Sequence, residues 1–243
     1  GYTVTVSDPD EMGITTLTNT HTPATIEASV EKTWDDNEDQ DGKRPEKLFV
    51  TLMRRIREQA VAMSLEDADD ADTNSAEEVM TVELTAANDW KASVSNQPKY
   101  KDGQMYEYFW TEKEGNIPDG YKLTNEVTYD ILSPGKGVTG FITTLTNTHT
   151  PQKINAVVKK VWDDNDNQDG KRASELTVDL MRNGTEVAGT VTLNEENNWT
   201  DTVENLDKYT GGVKNVYTWA EKNLPEGYSL TDTKKEVTEA TED

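Results

Sequence analysis

Lys32, Glu112 and Asn147 are polar residues placed where alternating strands should present apolar side chains. Alternation puts Ile26, Ala28, Val30, Lys32 and Trp34 on one face of a strand, with Thr25, Glu27, Ser29, Glu31 and Thr33 on the other. A later strand carries Tyr106, Tyr108 and Trp110 and ends that aromatic stripe in Glu112. A last strand aligns Phe141, Thr143 and Leu145 with Asn147. The pattern recurs as Ile154, Ala156, Val158, Lys160 and Trp162, then Tyr217, Trp219 and Glu221, while Thr15, Leu17 and Asn19 repeat the amide-bearing strand. One polar residue at such a position is ordinarily a strand end reaching solvent or an error of register. Three coincidences in two copies favour a specific Lys-Glu-Asn cluster, because an unpaired lysine or glutamate in an aromatic core is costly.

Such a cluster can exchange an amide. Burial lowers a lysine pKa and raises that of a glutamate, so a neutral amine can face a protonated carboxyl. The acid is expected to hydrogen-bond the asparagine carbonyl, polarise it and relay a proton to departing ammonia. Folding supplies the proximity. The product is a Lys-Asn isopeptide bond made once per molecule, without cofactor, so the chain reads as no turnover enzyme.

The elements that position these residues belong to a repeat. Lys32-Thr33-Trp34-Asp35-Asp36-Asn37 returns as Lys160-Val161-Trp162-Asp163-Asp164-Asn165, and residues 15–23 return unchanged as 143–151, both at an offset of 128. The period is a domain. Residues 24–150 form a full unit, 151–243 a second unit lacking its last strand, and 1–23 the terminal strand of a preceding repeat, with Gly1-Tyr2 matching Gly120-Tyr121 and Gly227-Tyr228. Trp34 to Trp90 spans 56 residues and Trp162 to Trp199 spans 37, so the first unit carries a 19-residue insertion within 54–80. It includes the acidic run 66–72 and reads as a solvated excursion with a short helix around 56–65.

The Lys-Val-Trp-Asp-Asp-Asn start, the Tyr-Thr-Trp-Ala-Glu followed by Leu-Pro-Glu-Gly-Tyr, and the closing Leu-Thr-Asn-Thr-His-Thr resemble the collagen-adhesin B-type (CnaB) repeats of Gram-positive surface proteins and pilins. The resemblance implies all-β, tandem prealbumin-like, Ig-like sandwiches of about seven strands. It implies reactive Lys32 and Asn147 with catalytic Glu112, and, by the same matching, reactive Lys160 and catalytic Glu221 with Asn19 as an orphan. It also implies an extracellular, cell-wall-anchored location. The strand around residues 14–20 is expected to complete the second unit of another molecule, Asn19 facing Lys160 and Glu221; a frayed terminus is the plainer alternative.

Composition narrows the partners. With 24 Lys+Arg against 47 Asp+Glu the formal charge is -23, which disfavours nucleic acid and anionic membranes. Apolar runs are only a few residues long, so no membrane insertion is expected. The absence of cysteine excludes disulfides, thiol catalysis and Cys-ligated zinc. The Asp35 to Gly42 run imitates a calcium loop but has Gln40 where the turn needs glycine, and its copy ends in Ser174; a solvated turn is expected, with no metal. His21 and His149, the two histidines, occupy equivalent strand ends rather than a zinc site. No phosphate loop or nucleophile elbow occurs. The leading reading is a stalk or spacer whose partners are neighbouring repeats, and the alternative is an adhesin presenting the insertion to a host matrix protein.

Overall fold

The computed structural model describes residues 1–57, 76–231 and the backbone of 237–239. The chain divides into two compact units, unit 1 comprising Gly1–Asp35 and Pro45–Thr148, and unit 2 comprising Asp36–Arg44 and His149–Asp243. Both are all-β.

Unit 1 opens with an antiparallel hairpin of β1 (Thr3–Val6) and β2 (Leu17–Thr20), whose side chains are exposed throughout. Its body is a sandwich of two four-stranded sheets. The strands are β3 (Thr25–Asp35), β4 (Lys47–Ile56), β5 (Glu77–Thr85), β6 (Lys91–Pro98), β7 (Tyr100–Lys101), β8 (Gln104–Thr111), β9 (Lys122–Ser133) and β10 (Gly137–Thr148). One sheet has the order β6-β3-β10-β9 and the other β5-β4-β8-β7. All pairings are antiparallel except that of β3 with β10, the first and last strands of the sandwich, which run parallel.

The alternation read from the sequence is the alternation of burial. Ile26, Ala28, Val30 and Lys32 of β3 are buried, as are Tyr106, Tyr108 and Trp110 of β8 and Phe141, Thr143, Leu145 and Asn147 of β10. With Leu48, Val50 and Leu52 of β4 the apolar members form one continuous core between the sheets. A buried hydroxyl ties the layers together: the Trp110 backbone N–H on β8 donates to Thr143 Oγ1 on β10 at 3.0 Å, and Thr143 pairs with the Thr128 hydroxyl at 2.8 Å.

Unit 2 contains β11 (Lys153–Lys159), β12 (Glu175–Arg182), β13 (Glu186–Asn194), β14 (Thr200–Asp207), β15 (Tyr209–Thr210), β16 (Val213–Lys214), β17 (Tyr217–Glu221) and β18 (Val237–Glu239). Its facing sheets have the orders β14-β11-β18 and β13-β12-β17, and β15 pairs with β16. Here β11 has no parallel neighbour among the described residues; β18 pairs antiparallel with Ile154–Ala156 only. The core falls into two clusters, one around Leu180 and Tyr217 and one around Val178 and Leu193, that share Val203 and Trp219 at their margins.

The 19-residue insertion within 54–80 falls between β4, which runs to Ile56, and β5, which begins at Glu77; apart from Ile56 and Arg57, the expected helix and the acidic run lie outside the described residues. Two expectations are corrected. The first aspartate-rich turn is only partly solvated: Asn37, Glu38 and Gly42 are exposed, but Asp36, Gln40 and Asp41 are buried. Thr15, Leu17 and Asn19 do not share a buried face: all are exposed, and among the described residues β1 and β2 form a two-stranded sheet of their own.

Candidate functional site

β3 and β10 run side by side with Lys32 level with Leu145 and Asn147 level with Trp34, so the two reactive candidates lie on one face, two residues apart in register. β8 brings Glu112 to the same place from the other sheet, immediately beyond the strand end at Thr111. Lys32 Nζ and Glu112 Oε1 form an ion pair at 2.9 Å, off the hydrogen-bonding directions, with both side chains fully buried. The second carboxylate oxygen, Glu112 Oε2, accepts a hydrogen bond from Asn147 Nδ2 at 2.7 Å. Asn147 Oδ1 is buried without a partner. The structure thus brings Lys32, Glu112 and Asn147 together around one carboxyl group.

Aromatic rings wall the site. Lys32 Nζ lies 4.7 Å from the Trp34 ring centre, and Trp34 meets Trp90 and Tyr121 edge-on at 5.0 and 5.1 Å. Removal from water lowers the Lys32 amine from 10.5 to about 8, against the opposing pull of Glu112. A neutral, nucleophilic form is therefore accessible near neutral pH. Lys32 can pass a proton to Oε1 and attack the Asn147 side-chain carbon, while the same carboxyl delivers a proton to Nδ2 as it leaves. The amide orientation differs from the sequence expectation, in which the acid contacts the carbonyl: the leaving nitrogen is the atom on the acid. Half a turn about the Asn147 Cβ–Cγ bond exchanges the two contacts.

Unit 2 repeats part of this geometry. Lys160 Nζ is 2.5 Å from Glu221 Oε1, and Lys160 lies 4.8 Å from the Trp162 ring centre, with Trp199 and Tyr228 edge-on at 5.1 and 5.0 Å. The pair is more open, with 14 % and 12 % of the side-chain surfaces exposed. Glu221 Oε2, the counterpart of the oxygen that receives Asn147, is buried and has no hydrogen-bond partner. Lys160 to Trp162 are not in a strand, whereas their counterparts Lys32 to Trp34 are. Asn19, the remaining candidate, lies exposed opposite Val4 in the hairpin.

The aspartate-rich turns have a role that the sequence reading missed. Asp36 takes a two-pronged contact from Arg44, at 3.1 and 2.6 Å, and Asp164 takes the same from Arg172, at 2.9 and 2.6 Å. Each turn contains three successive left-handed residues, Asn37, Glu38 and Asp39 in the first and Asn165, Asp166 and Asn167 in the second; all but Glu38 are asparagine or aspartate, which tolerate that conformation. The signal was present, since aspartate and arginine recur at the same spacing in both copies. His149 is buried against Asp41 at 3.0 Å, while His21 is exposed beside Tyr2. Among the described residues no group of three or more His, Asp and Glu side chains could hold a metal ion.

Two Ig-like sandwich units, one with a closed Lys-Glu-Asn cluster and one with a Lys-Glu pair, define a class of β-repeat proteins. The sequence profile of the Cna protein B-type domain matches residues 28–148 and 156–242, and the chain belongs to that family. It is 38% identical over 229 residues to a collagen adhesin of Staphylococcus aureus, covering 94% of this chain and 16% of that protein. The chain therefore spans about a sixth of that relative's length. A crystal structure of two B repeat units of the collagen binding protein of S. aureus shares 37% identity with a TM-score of 0.42, covering 94% of this chain and 51% of that one. A single B repeat unit of that collagen binding surface protein shares 36% identity with a TM-score of 0.33, covering 84% and 89%.

Proposed function

We propose that the chain is a structural stalk or spacer segment of a cell-wall-anchored surface protein or pilin, stiffened by a self-formed isopeptide bond between Lys32 and Asn147. The observation that supports this most directly is the shared carboxyl of Glu112, in contact with the amine on one oxygen and the amide nitrogen on the other, in full burial. Family membership points to the same class of protein.

The topology suits a module under tension. β3 and β10 are the terminal strands of the sandwich and run parallel, so a pull on the two ends loads their pairing in shear. A bond from Lys32 to Asn147 carries that load past residues 33–146, which then cannot be extended. Resistance to forced unfolding and proteolysis follows from the raised barrier to opening.

The test is intact mass followed by peptide mapping: a mass lower than the sequence mass by one ammonia, with Lys32 and Asn147 in one branched peptide, is the expected result. A full sequence mass overturns the crosslink. The second reading, an adhesin module, draws on the name of the collagen adhesin relative. Equal retention on immobilised matrix proteins with and without residues 58–75 removes the version in which the insertion is the ligand surface.

A further inference from the structure

Glu126 is a second carboxyl beside the Lys32-Glu112-Asn147 cluster, and the amide exchange as described leaves it unused. It lies on β9 level with Leu145 of β10, on the face that also carries Thr128, whose hydroxyl meets Thr143 in the core. β9 is the edge of its sheet, and among the described residues Tyr106 to Thr111 of β8 pair with β4 alone. Two bonds cross from this part of β8 to the other sheet. The Trp110 N–H donates to Thr143, and one residue further on the Thr111 hydroxyl donates to Glu126 Oε2 at 2.9 Å. The next residue is Glu112. Glu126 is thus fastened to the backbone neighbour of the catalytic candidate, and it is open to solvent where Glu112 is sealed from it.

The two carboxyls feel each other. Partial burial holds the Glu126 carboxyl above its ordinary 4.5, the Thr111 hydroxyl pulls it down, and the charge of Glu112 pushes it up again. Repulsion between like charges is mutual, so an ionised Glu126 makes Glu112 readier to hold a proton. The Lys32 amine answers to burial and to Glu112. Opposite Glu126, β10 presents Leu145 and Thr143, neither of which titrates, and Asp130 further along β9 is paired with Arg57 at 2.8 Å. The influence of Glu126 therefore falls on the carboxyl end of the Lys32-Glu112 ion pair.

We infer that Glu126 is a positioning residue for the amide exchange of unit 1: its charge draws the Lys32 proton onto Glu112 and so sets the fraction of clusters in which a neutral amine faces a protonated acid. The inference rests on the exchange proposed above. Lys32 Nζ gives one proton to Glu112 Oε1 before attack and a second as the bond from Nζ to the Asn147 side-chain carbon forms. The C–Nδ2 bond breaks, one of the two protons departs with Nδ2 as ammonia, and the other stays on Glu112 until solvent takes it. A negative charge beside Glu112 favours each transfer onto it. When Glu126 is itself protonated the bias is lost, so the exchange slows in acid through a group that touches none of the reacting atoms.

The test refolds the 243-residue chain from denaturant at a series of pH values and reads ammonia loss by intact mass. Glu126→Gln keeps the shape and removes the charge. It should slow crosslinking at neutral pH by about threefold to tenfold, the factor that half a unit to one unit of Glu112 proton affinity supplies. The gap should close in acid, where Glu126 of the parent chain is neutral too. Glu126→Asp keeps the charge and should restore most of the rate. Thr111→Val removes the bond that steadies the ionised form and should move the acid limb to higher pH. In the uncrosslinked Asn147→Ala chain, carboxyl-carbon NMR should show Glu112 titrating at lower pH when Glu126→Gln is added. Where the parent crosslinks, a Glu126→Gln rate equal to the parent's, a deficit independent of pH that Glu126→Asp does not relieve, or an unmoved Glu112 titration overturns this role alone. A parent of full sequence mass defeats the crosslink of unit 1 and the role of Glu126 together.

Discussion

Lys32 and Asn147 sit on adjacent parallel strands two residues apart in register, and both reach one carboxyl group, that of Glu112. A crosslink at this point ties the first strand of the sandwich to the last. The chemistry needs a carboxyl because the proton that the amine must lose and the proton that the leaving nitrogen must gain pass through the same group.

Glu112→Gln should keep a polar contact to Asn147 but remove the proton relay. Intact mass is expected to rise to the full sequence value plus the small change of the substitution. Closing a long loop covalently is worth about 2 to 5 kcal/mol by analogy with disulfides, so the melting temperature of unit 1 should fall accordingly. A variant that still loses ammonia would show that Glu112 is dispensable.

Crosslinking should accelerate with pH. Chains taken from denaturant and diluted into folding buffer are expected to lose ammonia faster as pH rises toward about 8, where Lys32 becomes neutral, and to level off above it. The linkage to stability has a definite sign. The folded amine titrates near 8 against 10.5 for the free group, so between those values the unfolded chain binds more protons. An uncrosslinked Asn147→Ala chain should therefore gain stability from Lys32 as pH rises from about 8 to 10.5, and carry the full cost of the buried charge below that window.

Thr143→Val replaces the hydroxyl that accepts the Trp110 N–H and pairs with Thr128. A buried donor left unpaired costs about 1 to 3 kcal/mol. Chemical denaturation in an Asn147→Ala background should show that loss, and Thr143→Ser should restore most of it.

Arg172→Ala should destabilise unit 2 near neutral pH, with a deficit that shrinks in acid. Hydrogen bonds from Arg172, then from the Asn167 backbone N–H and the Tyr228 hydroxyl, hold the Asp164 carboxyl well below its ordinary 3.8. The parent's stabilisation is complete above the ordinary value and is lost as pH falls toward the lower one, so the gap between parent and variant should be widest above the ordinary value and close below it. Tryptophan emission reads this directly, because Trp162 packs on Tyr228.

Calcium or EDTA should leave the melting temperature unchanged. Asp36 and Asp164 already meet Arg44 and Arg172, and Asp39 Oδ1 accepts the Arg44 backbone N–H, so a cation would have to displace bonds that the turns need. A rise of several degrees with calcium would refute this.

By itself the sequence determined the repeat, the strand faces and the identity of the three polar intruders, because alternation and internal identity are properties of the chain alone. It placed Lys32, Glu112 and Asn147 on apolar faces of strands far apart in order, and the two sheets bring those faces together. Burial, however, is decided by what lies opposite. Asn19 has the same neighbours in sequence as Asn147 yet is exposed, because among the described residues β2 pairs with β1 alone in a two-stranded sheet. Lys160 to Trp162 correspond to Lys32 to Trp34 yet leave the strand, and among the described residues β11 has no parallel partner like the one that supplies β3 with hydrogen bonds. The arginine contacts that organise the aspartate turns and the face that the Asn147 amide turns to Glu112 were likewise settled only in three dimensions, where the competing partners for each polar atom first meet.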